Sequence, residues 1–290
     1  MLPRNLKLWY NGEVLDDLER IGLVAVQREL APLLDMFRHG ARDRQGDALL
    51  HVAQVGDRRL ILAEVLPGPL SAALGAQALI ARHGARCLIG FGSAGALDPC
   101  LLPGDLVVVQ RAFAHDAGSF LGKRFEPVGV IGRDEAGRVG YRRSFEADPG
   151  LVALAANTAR SLERKAYMGA VVTGNQVVFS SARRRWLRHT FGALAVEMET
   201  AAVAQVAVAH RLPWVAVRAI SDGAGDELIL DYSRLRRYLD EDLSEWRHRL
   251  RSWWYLFAHP RALRRLRRLH KGLALASDQA ACLVQAMLQT

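Results

Sequence analysis

Short apolar runs alternate with amphipathic stretches over the first 226 residues of the chain. Runs rich in β-branched residues predict buried strands, and apolar positions three and four residues apart predict helices. A hairpin is predicted for ALLHVAQVGDRRLILAEV (48–65), with its turn at Gly56 and Asp57. Further strands are expected at 20–26, 103–116, 193–198 and 213–221, together with a strand that runs into a glycine-rich loop at 85–99 and a strand that ends in a loop at 166–180. Helices are expected at 27–40, 69–84, 149–164 and 199–211.

Strands that alternate with helices, several of them apolar throughout, indicate a sheet covered on both faces. The expected fold class is α/β, a single domain with a central mixed, mostly parallel sheet flanked by helices. This domain is predicted to span residues 1–230. Residues 231–272 are predicted to form a basic helical insert rich in tryptophan and arginine, and residues 273–290 a C-terminal helix that packs on the core.

Composition narrows the class of protein. Half of the 290 residues are hydrophobic, which is enough for a sizeable core. Cys87, Cys100 and Cys282 form neither a close pair nor a metal-like spacing, as expected in a reducing cytoplasm. The N-terminus lacks the apolar core of a signal peptide, and no stretch reaches the ~20 apolar residues of a membrane span. We therefore expect a cytoplasmic protein.

The net charge of +9 belongs mainly to one segment. Residues 244–271 contain nine arginine and lysine residues, one glutamate and five aromatic residues. This composition suits an amphipathic helix on an anionic membrane surface, which would make the protein peripheral to the membrane. It also suits RNA, a less favoured partner, by stacking and phosphate contacts. The third interpretation is a hairpin that packs its aromatic residues on the core or on a second subunit.

Two carboxylates, Glu197 and Glu199, stand in the apolar run GALAVEMETAAVAQVA (192–207) with no basic neighbour in the sequence. A buried ionised carboxylate is costly unless a partner neutralises it. Polar residues follow other predicted strands as well, namely Ser93, Asn175, Ser221 and Asp222. If these strands are parallel neighbours, their ends meet at one edge of the sheet, which predicts a pocket with carboxylate chemistry. The alternative for Ser221, Asp222 and Glu197 is capping of the next helix.

Other short signals are weaker. GSAGAL (92–97) looks like a phosphate cradle, but it lacks the spacing of the dinucleotide and P-loop motifs. His115 and Asp116 are expected to form a hydrogen-bonded structural pair, since no further His or Cys stands nearby. The sequence suggests no metal constellation and no Ser-His-Asp order, so neither a metal nor another cofactor is expected.

Four segments together resemble one family. They are IGLVAVQREL (21–30), GFGSAGALDPCLLPGDLVVVQRAFAHDAG (90–118), VVTGNQVVFSSARRRWLRHTFGALAVEMETAAVAQVA (171–207) and PWVAVRAISDGAGDE (213–227). They resemble the nucleoside phosphorylase/nucleosidase superfamily, most closely the methylthioadenosine/S-adenosylhomocysteine nucleosidases. The combination of V-E-M-E with R-A-I-S-D is the most specific part of the resemblance. The basic insert has no counterpart in the compact members.

The resemblance implies catalytic roles for Asp222, Glu29, Arg218 and Ser93. Asp222 would hydrogen-bond the purine N7 and protonate the leaving base, and Glu29 would activate water. Arg218 and Ser93 would lie near the ribose and the nucleophile. These residue types fit the chemistry, because an N-glycosidic bond breaks through an oxocarbenium-like state and adenine leaves readily only when protonated.

The resemblance also implies a substrate-binding set. Glu199 would hold the ribose hydroxyls, and Met198 would pack on the sugar, whereas Glu197 would be structural. The remaining members of the set are Ser221, Asn175, Val177, Val178 and Phe179. The nucleosidases usually have Asp where this chain has Asn175, and often an aromatic residue that stacks on adenine where it has Val177. The sequence therefore leaves the base and the 5′ substituent undecided: the substrate is a methylthioadenosine/adenosylhomocysteine-like, a futalosine-like or a lipid-linked purine nucleoside.

The nucleophile separates two activities. Phosphorylases of the superfamily usually hold phosphate with an arginine two residues before the glycine of the Gly-Ser pair, where this chain has Gly90. That difference favours water, and hence a nucleoside N-ribohydrolase that releases free base. A phosphate-dependent phosphorylase is the alternative, and a non-catalytic nucleoside- or membrane-binding protein is the second. Relatives are often dimers, so the resemblance also implies a homodimer.

Overall fold

The computed structural model of the chain describes residues 19–34, 37, 40–55, 58–133, 136–226 and 260–289. A ten-stranded mixed sheet forms its centre. The sheet contains β1 (Arg20–Val26), β2 (Ala41–Gln45), β3 (Ala48–Val55), β4 (Arg58–Val65), β5 (Cys87–Ala96), β6 (Leu106–Ala114), β11 (Phe145–Glu146), β12 (Ala166–Thr173), β13 (Ala193–Glu197) and β14 (Trp214–Asp222). Two small antiparallel hairpins lie apart from it, formed by β7 (Gly118–Leu121) with β8 (Arg124–Pro127), and by β9 (Val130–Arg133) with β10 (Val139–Arg142).

Five strands of the sheet close into a ring. β14 pairs with β5 and β6, β12 pairs with β6 and β13, and β13 pairs with β5. Strand β14 runs parallel to β5, whereas β13 runs antiparallel to it. Both strands end beside the same residue, because Val196 of β13 and Asp222 of β14 are paired with Gly95. This register brings the ends of β13 and β14 to the C-terminal half of β5.

Helices cover the sheet on its outer faces. They are α1 (Ala31–Leu34), which follows a 3-10 turn at Gln27–Glu29, α2 (Pro69–His83), α3 (Pro149–Ser161), α4 (Ser181–Phe191), α5 (Thr200–Ala209) and α6 (Pro260–Gln289). The carboxylate of Asp148 accepts a hydrogen bond from the Leu151 N–H and caps α3, at 3.0 Å. Helix α6 packs on β14 and β5 and buries Ala280, Val284 and Met287. Within the described part of the chain, no helix combines the length and apolarity needed to cross a membrane.

The predicted α/β domain with a mixed sheet and flanking helices is confirmed. Antiparallel pairing is nevertheless as frequent as parallel pairing among the pairs of this sheet. The helix expected at 27–40 is shorter, a 3-10 turn followed by the four residues of α1, with residues 35, 36, 38 and 39 outside the described residues. The glycine-rich loop expected after β5 is instead strand up to Ala96, since β14 and β13 supply hydrogen-bond partners there.

The predicted division of the chain into domains stays a prediction. Most of the basic insert, residues 231–259, lies outside the described residues. Helix α6 is continuous from Pro260, so the boundary expected at residue 272 falls inside it.

Candidate active site

A buried carboxylate, that of Glu29, faces the middle of β5. It lies in the 3-10 turn after β1. Its Oε1 accepts hydrogen bonds from the Ser93 backbone N–H, at 2.8 Å, and from the Ser93 hydroxyl. Its Oε2 is buried without a hydrogen-bond partner among the described residues. A Cβ at Gly92 would overlap this oxygen, so the glycine makes the approach of Glu29 to the strand possible.

Arg218 of β14 is the cationic centre of the site. Its Nη2 contacts Glu197 Oε2 at 2.5 Å, its Nη1 lies 3.5 Å from Glu199 Oε2, and its Nε donates to the Thr200 hydroxyl at 2.9 Å. The guanidinium also attracts the carboxylate of Glu29. Three buried carboxyl groups therefore share one arginine. The glutamates have no basic neighbour in the sequence, and the fold supplies one, because Arg218 comes from another strand.

Glu197 has the structural position expected of it. Its Oε2 accepts hydrogen bonds from the N–H groups of Glu199 and Thr200, at 2.9 and 2.8 Å, and so caps α5. Its Oε1 accepts from the Thr173 hydroxyl. The capping alternative thus applies to Glu197. It does not apply to Asp222, whose hydrogen bonds are made to side chains.

Glu199 precedes α5 and turns toward the beginning of α2. Its Oε1 accepts a hydrogen bond from the Gly68 N–H at 2.9 Å. Burial, together with the neighbouring charges of Glu197 and Glu29, raises the pKa of Glu199 to about 7 against the effect of Arg218. Burial likewise raises the pKa of Glu29, opposed by Arg218. One arginine does not neutralise three acids in a dry site, and Glu199 is therefore partly protonated near neutral pH.

Asp222 forms a second group at the end of β14. Its Oδ1 is 2.6 Å from the Ser221 hydroxyl, and its Oδ2 is paired with the guanidinium of Arg184 in α4. This group lies against Gly95, where a Cβ would be 3.4 Å from Asp222 Oδ2. Gly92 and Gly95 are therefore the places where β5 meets Glu29 and Asp222. Three residues of extended chain span roughly 10 Å, so the two acids approach β5 at separate points.

The segment after β12 carries the residues predicted to hold a base. Val177 is 50% exposed, whereas Val178 is buried in an apolar cluster with Leu97 and Leu187. The Asn175 N–H donates to Asp116 at 3.0 Å, and the Asn175 side chain lies beside Gly68, close to Glu199. Met198 and Phe179 are half-buried. Asn175 is thus near the glutamate cluster, and the side chain of Val178 faces the core.

The hydrogen-bonded pair expected of His115 and Asp116 is wrong. Both ring nitrogens of His115 are buried without a hydrogen-bond partner among the described residues, while Asp116 accepts from the Asn175 N–H. Burial lowers the pKa of His115. The Nε2 end of the ring lies against Gly174, where a Cβ would overlap it.

Sequence reasoning missed several groups that build the site. Arg184 is the main one, since it stands among three consecutive arginines that the sequence does not distinguish. Its spacing of three residues from Leu187, the other buried position of α4, is the signal that could have found it. Gly68, Thr173 and Thr200 were missed as well, because each acts through a backbone or hydroxyl group with no motif.

Comparison with known proteins finds relatives in sequence and in fold. A curated 5′-methylthioadenosine/S-adenosylhomocysteine nucleosidase from Mycobacterium bovis is 31% identical over 228 residues, which cover 74% of this chain and 89% of the relative. A mutant methylthioadenosine nucleosidase from Helicobacter pylori, solved with 5′-methylthioadenosine in its active site, has a TM-score of 0.72 at 23% identity and covers 94% of this chain and 98% of its own. The futalosine hydrolase of Helicobacter pylori has a TM-score of 0.70 at 22% identity, with coverages of 94% and 98%.

The closed sheet and the buried carboxylates around Arg218 define an α/β protein with the fold of the nucleoside phosphorylases and nucleosidases. The model of the phosphorylase superfamily matches residues 20–239, and the chain belongs to this family. The resemblance drawn from the four sequence segments is thereby confirmed.

Proposed function

We propose that the protein is a nucleosidase that hydrolyses the N-glycosidic bond of a purine nucleoside with a modified 5′ position and releases the free base. The observation that carries the proposal is a pair of carboxyl groups, that of Glu29 against Gly92 and that of Asp222 against Gly95 of β5. Among the described residues, Glu29 Oε2 has no hydrogen-bond partner, and Asp222 lies at the other position. The curated relatives named as nucleosidases support the same reaction.

Each carboxyl group has a distinct task in the proposed reaction. Asp222 donates a proton to N7 of the base, and the C1′–N9 bond breaks with its electron pair moving into the base. Glu29 accepts a proton from water at Oε2 as the water oxygen attacks C1′. Burial raises the pKa of Glu29, which suits a general base. Ser93 fixes Glu29 through Oε1 and leaves Oε2 toward the water.

Glu199 and Arg218 hold the sugar in this proposal. A carboxylate that accepts hydrogen bonds from ribose hydroxyls strengthens those bonds as positive charge develops on the ring. Met198 packs on the sugar, and Asn175, Val177, Phe179 and Ser221 line the side of the base. The 5′ group is of the methylthioadenosine/adenosylhomocysteine, futalosine or lipid-linked type.

Water is the proposed nucleophile, because the buried guanidinium groups of the described site are already paired. Arg218 is bound by glutamates and Arg184 by Asp222. Gly90, at the position where phosphorylases place an arginine, is an interior residue of β5 between Val24 and Ala216. Phosphate would therefore find no free guanidinium fork there.

The test measures the release of free base by chromatography, with and without phosphate. The substrates are methylthioadenosine, adenosylhomocysteine, a futalosine-type nucleoside, adenosine and inosine. We expect release without phosphate and a loss of at least about 100-fold in kcat for Asp222→Asn. Asp98→Asn, which breaks an ion pair with Arg188 at the surface, is the matched control. Release only with phosphate would show a phosphorylase.

We also propose that the protein is a homodimer. Leu70 and Leu74 share one face of α2 and are 74% and 60% exposed, an arrangement that suits burial against a second copy. Sedimentation velocity of Leu70→Glu/Leu74→Glu against the wild type tests this. A wild type that sediments as a monomer would overturn it.

A cytoplasmic location with peripheral attachment to anionic membranes through residues 244–271 is a further proposal, supported by the composition of that segment. Co-sedimentation with vesicles of anionic and of neutral lipid tests it. We expect Trp253→Ser/Trp254→Ser to weaken binding to the anionic vesicles. Equal recovery of this variant and the wild type would overturn the proposal.

A further inference from the structure

Arg184 is a buried arginine that the mechanism above does not use, although it contacts the proposed acid. It is 2% exposed. Its Nε donates to the Val178 carbonyl oxygen at 2.8 Å, and its Nη1 donates to the carbonyl oxygens of Gly223, at 2.7 Å, and Ala96, at 3.5 Å. Its Nη2 donates to Asp222 Oδ2. One guanidinium therefore donates hydrogen bonds to three backbone segments and to Asp222 Oδ2. The segments are the one after β12, the end of β5 and the one after β14.

The other oxygen of Asp222 has a partner that can accept a proton. The Ser221 Oγ lies 2.6 Å from Asp222 Oδ1 and 3.2 Å from the Ala94 carbonyl oxygen. A hydroxyl carries one proton and can donate to only one of them. When it donates to the carbonyl, Oδ1 of Asp222 is free to carry a proton of its own. Oδ2 faces a guanidinium, which only donates, so the transferable proton of Asp222 belongs on Oδ1.

We propose that Arg184 is a positioning residue that holds Oδ2 of Asp222 and directs the protonated Oδ1 toward N7 of the base. This inference rests on the proposed nucleosidase function. As the C1′–N9 bond breaks and its electron pair moves into the base, the proton leaves Oδ1 for N7, and Asp222 becomes a carboxylate beside a guanidinium. The ion pair is thus strongest after proton transfer has begun, which is the condition for lowering the barrier rather than tightening substrate binding.

The first variant is Arg184→Lys, which keeps the charge and loses the planar fork. With methylthioadenosine we expect kcat to fall by about 10- to 100-fold and KM to change by less than about threefold. Arg185→Lys is the matched control, because Arg185 is the next residue of α4 and is exposed. It should retain wild-type kcat.

A second substrate separates positioning from general structural damage. In 4-nitrophenyl β-D-ribofuranoside the leaving phenolate needs no proton, so loss of a correctly placed acid has little effect on its hydrolysis. Relative to the wild type, we expect Arg184→Lys to cleave this riboside at a rate within about twofold, and to be slow only with the purine nucleoside. Equal losses on both substrates would show a structural role and overturn the proposal.

A double-mutant comparison gives an independent readout. In an Asp222→Asn background, Arg184→Lys should lower kcat by less than about twofold, because the two residues act as one unit. If Arg184→Lys does not fold, Gly95→Ala disturbs the same pair from the strand, since its Cβ would lie 3.2 Å from Arg184 Nη2. Gly95→Ala is expected to show the same selectivity between the two substrates.

The outcomes for the two proposals differ. A wild type that cleaves no purine nucleoside overturns the nucleosidase function and the role of Arg184 together. An active wild type with an Arg184→Lys variant of wild-type kcat, or with losses that add to that of Asp222→Asn, overturns the role of Arg184 alone.

Discussion

Arg218 and Glu197 form an ion pair in the interior of the protein, with Nη2 and Oε2 2.5 Å apart and both side chains 2% exposed. The same carboxylate oxygen accepts hydrogen bonds from two backbone N–H groups at the start of α5. Glu197 therefore fixes the direction of the guanidinium and the beginning of the helix at once. Glu199, two residues later, makes only a longer contact of 3.5 Å with Arg218.

Glu197→Gln is expected to lower the free energy of unfolding by about 3–5 kcal/mol, because it leaves the guanidinium of Arg218 buried without its main counter-charge. Urea denaturation followed by circular dichroism measures this. Glu146→Gln is the control, since it removes a surface pair with Arg111 whose side chains are half exposed, and such pairs contribute less than about 1 kcal/mol. Equal losses in the two variants would contradict the importance of the buried pair.

The raised pKa of Glu199 predicts a pH dependence of stability. A glutamate in the unfolded chain titrates near about pH 4.3, whereas burial raises the pKa of Glu199 to about 7 in the folded state. Between these values the folded state binds more protons, so the free energy of unfolding falls as pH rises, by at most about 1.4 kcal/mol per pH unit for one group.

Glu199→Gln removes this titration and should flatten the decline in stability between about pH 4.5 and 7. Urea denaturation of the variant and the wild type across that range is the measurement. Glu163→Gln, on the surface after α3, should retain the wild-type slope. A Glu199→Gln profile parallel to that of the wild type would show that Glu199 is ionised throughout.

Gly92→Ala is expected to abolish hydrolysis. Its Cβ would overlap Glu29 Oε2 and lie 2.8 Å from Arg218 Nη1, and the φ of 150° at Gly92 disfavours any side chain. We expect kcat to fall by about 100-fold or more, as for loss of a general base. Gly90→Ala in the same strand is the control, because its Cβ would meet only the Ala216 Cβ at an ordinary 3.5 Å. Equal activity of the two variants would contradict the assignment of Glu29.

Val177→Phe tests the altered base pocket. Val177 is exposed at a position where the sequence resemblance places a ring on the base. If the base binds beside it, stacking worth about 0.5–1.5 kcal/mol should lower KM for methylthioadenosine by roughly two- to tenfold. Met168→Phe, an equally exposed position at the other end of β12, should leave KM unchanged. An unchanged KM for Val177→Phe would place the base elsewhere.

The parts of the fold and site that sequence predicts are those encoded locally. The hydrophobic runs place β1, β6 and β14 within a few residues, and the motifs around Glu199 and Asp222 identify both residues. Pairing between distant strands is not encoded in this way. The antiparallel contact of β13 with β5 closes the ring, and nothing in the run ALAVEM distinguishes it from a parallel neighbour.

Side-chain partners that come from distant segments of the chain could likewise not be predicted from the sequence. Arg183, Arg184 and Arg185 are chemically identical, and only the orientation of α4 decides that Arg184 is buried against Asp222. The role of Gly92 depends on Glu29 reaching it across more than sixty residues of chain. Such relations are fixed by packing and not by composition.

The close approach of α6 to Ser221 gives a last prediction. Gly272 of α6 lies against the backbone beside the proposed acid, and a Cβ there would overlap the Ser221 carbonyl oxygen. Gly272→Ala must therefore move either the helix or the end of β14. Although alanine is the better helix former, we expect the variant to lose about 1–3 kcal/mol of unfolding free energy, as for overpacking, and to lose kcat through displacement of Asp222. Lys271→Ala, exposed at the preceding position, should change neither. A Gly272→Ala enzyme as stable and as active as the wild type would show that α6 is free to shift without moving the acid.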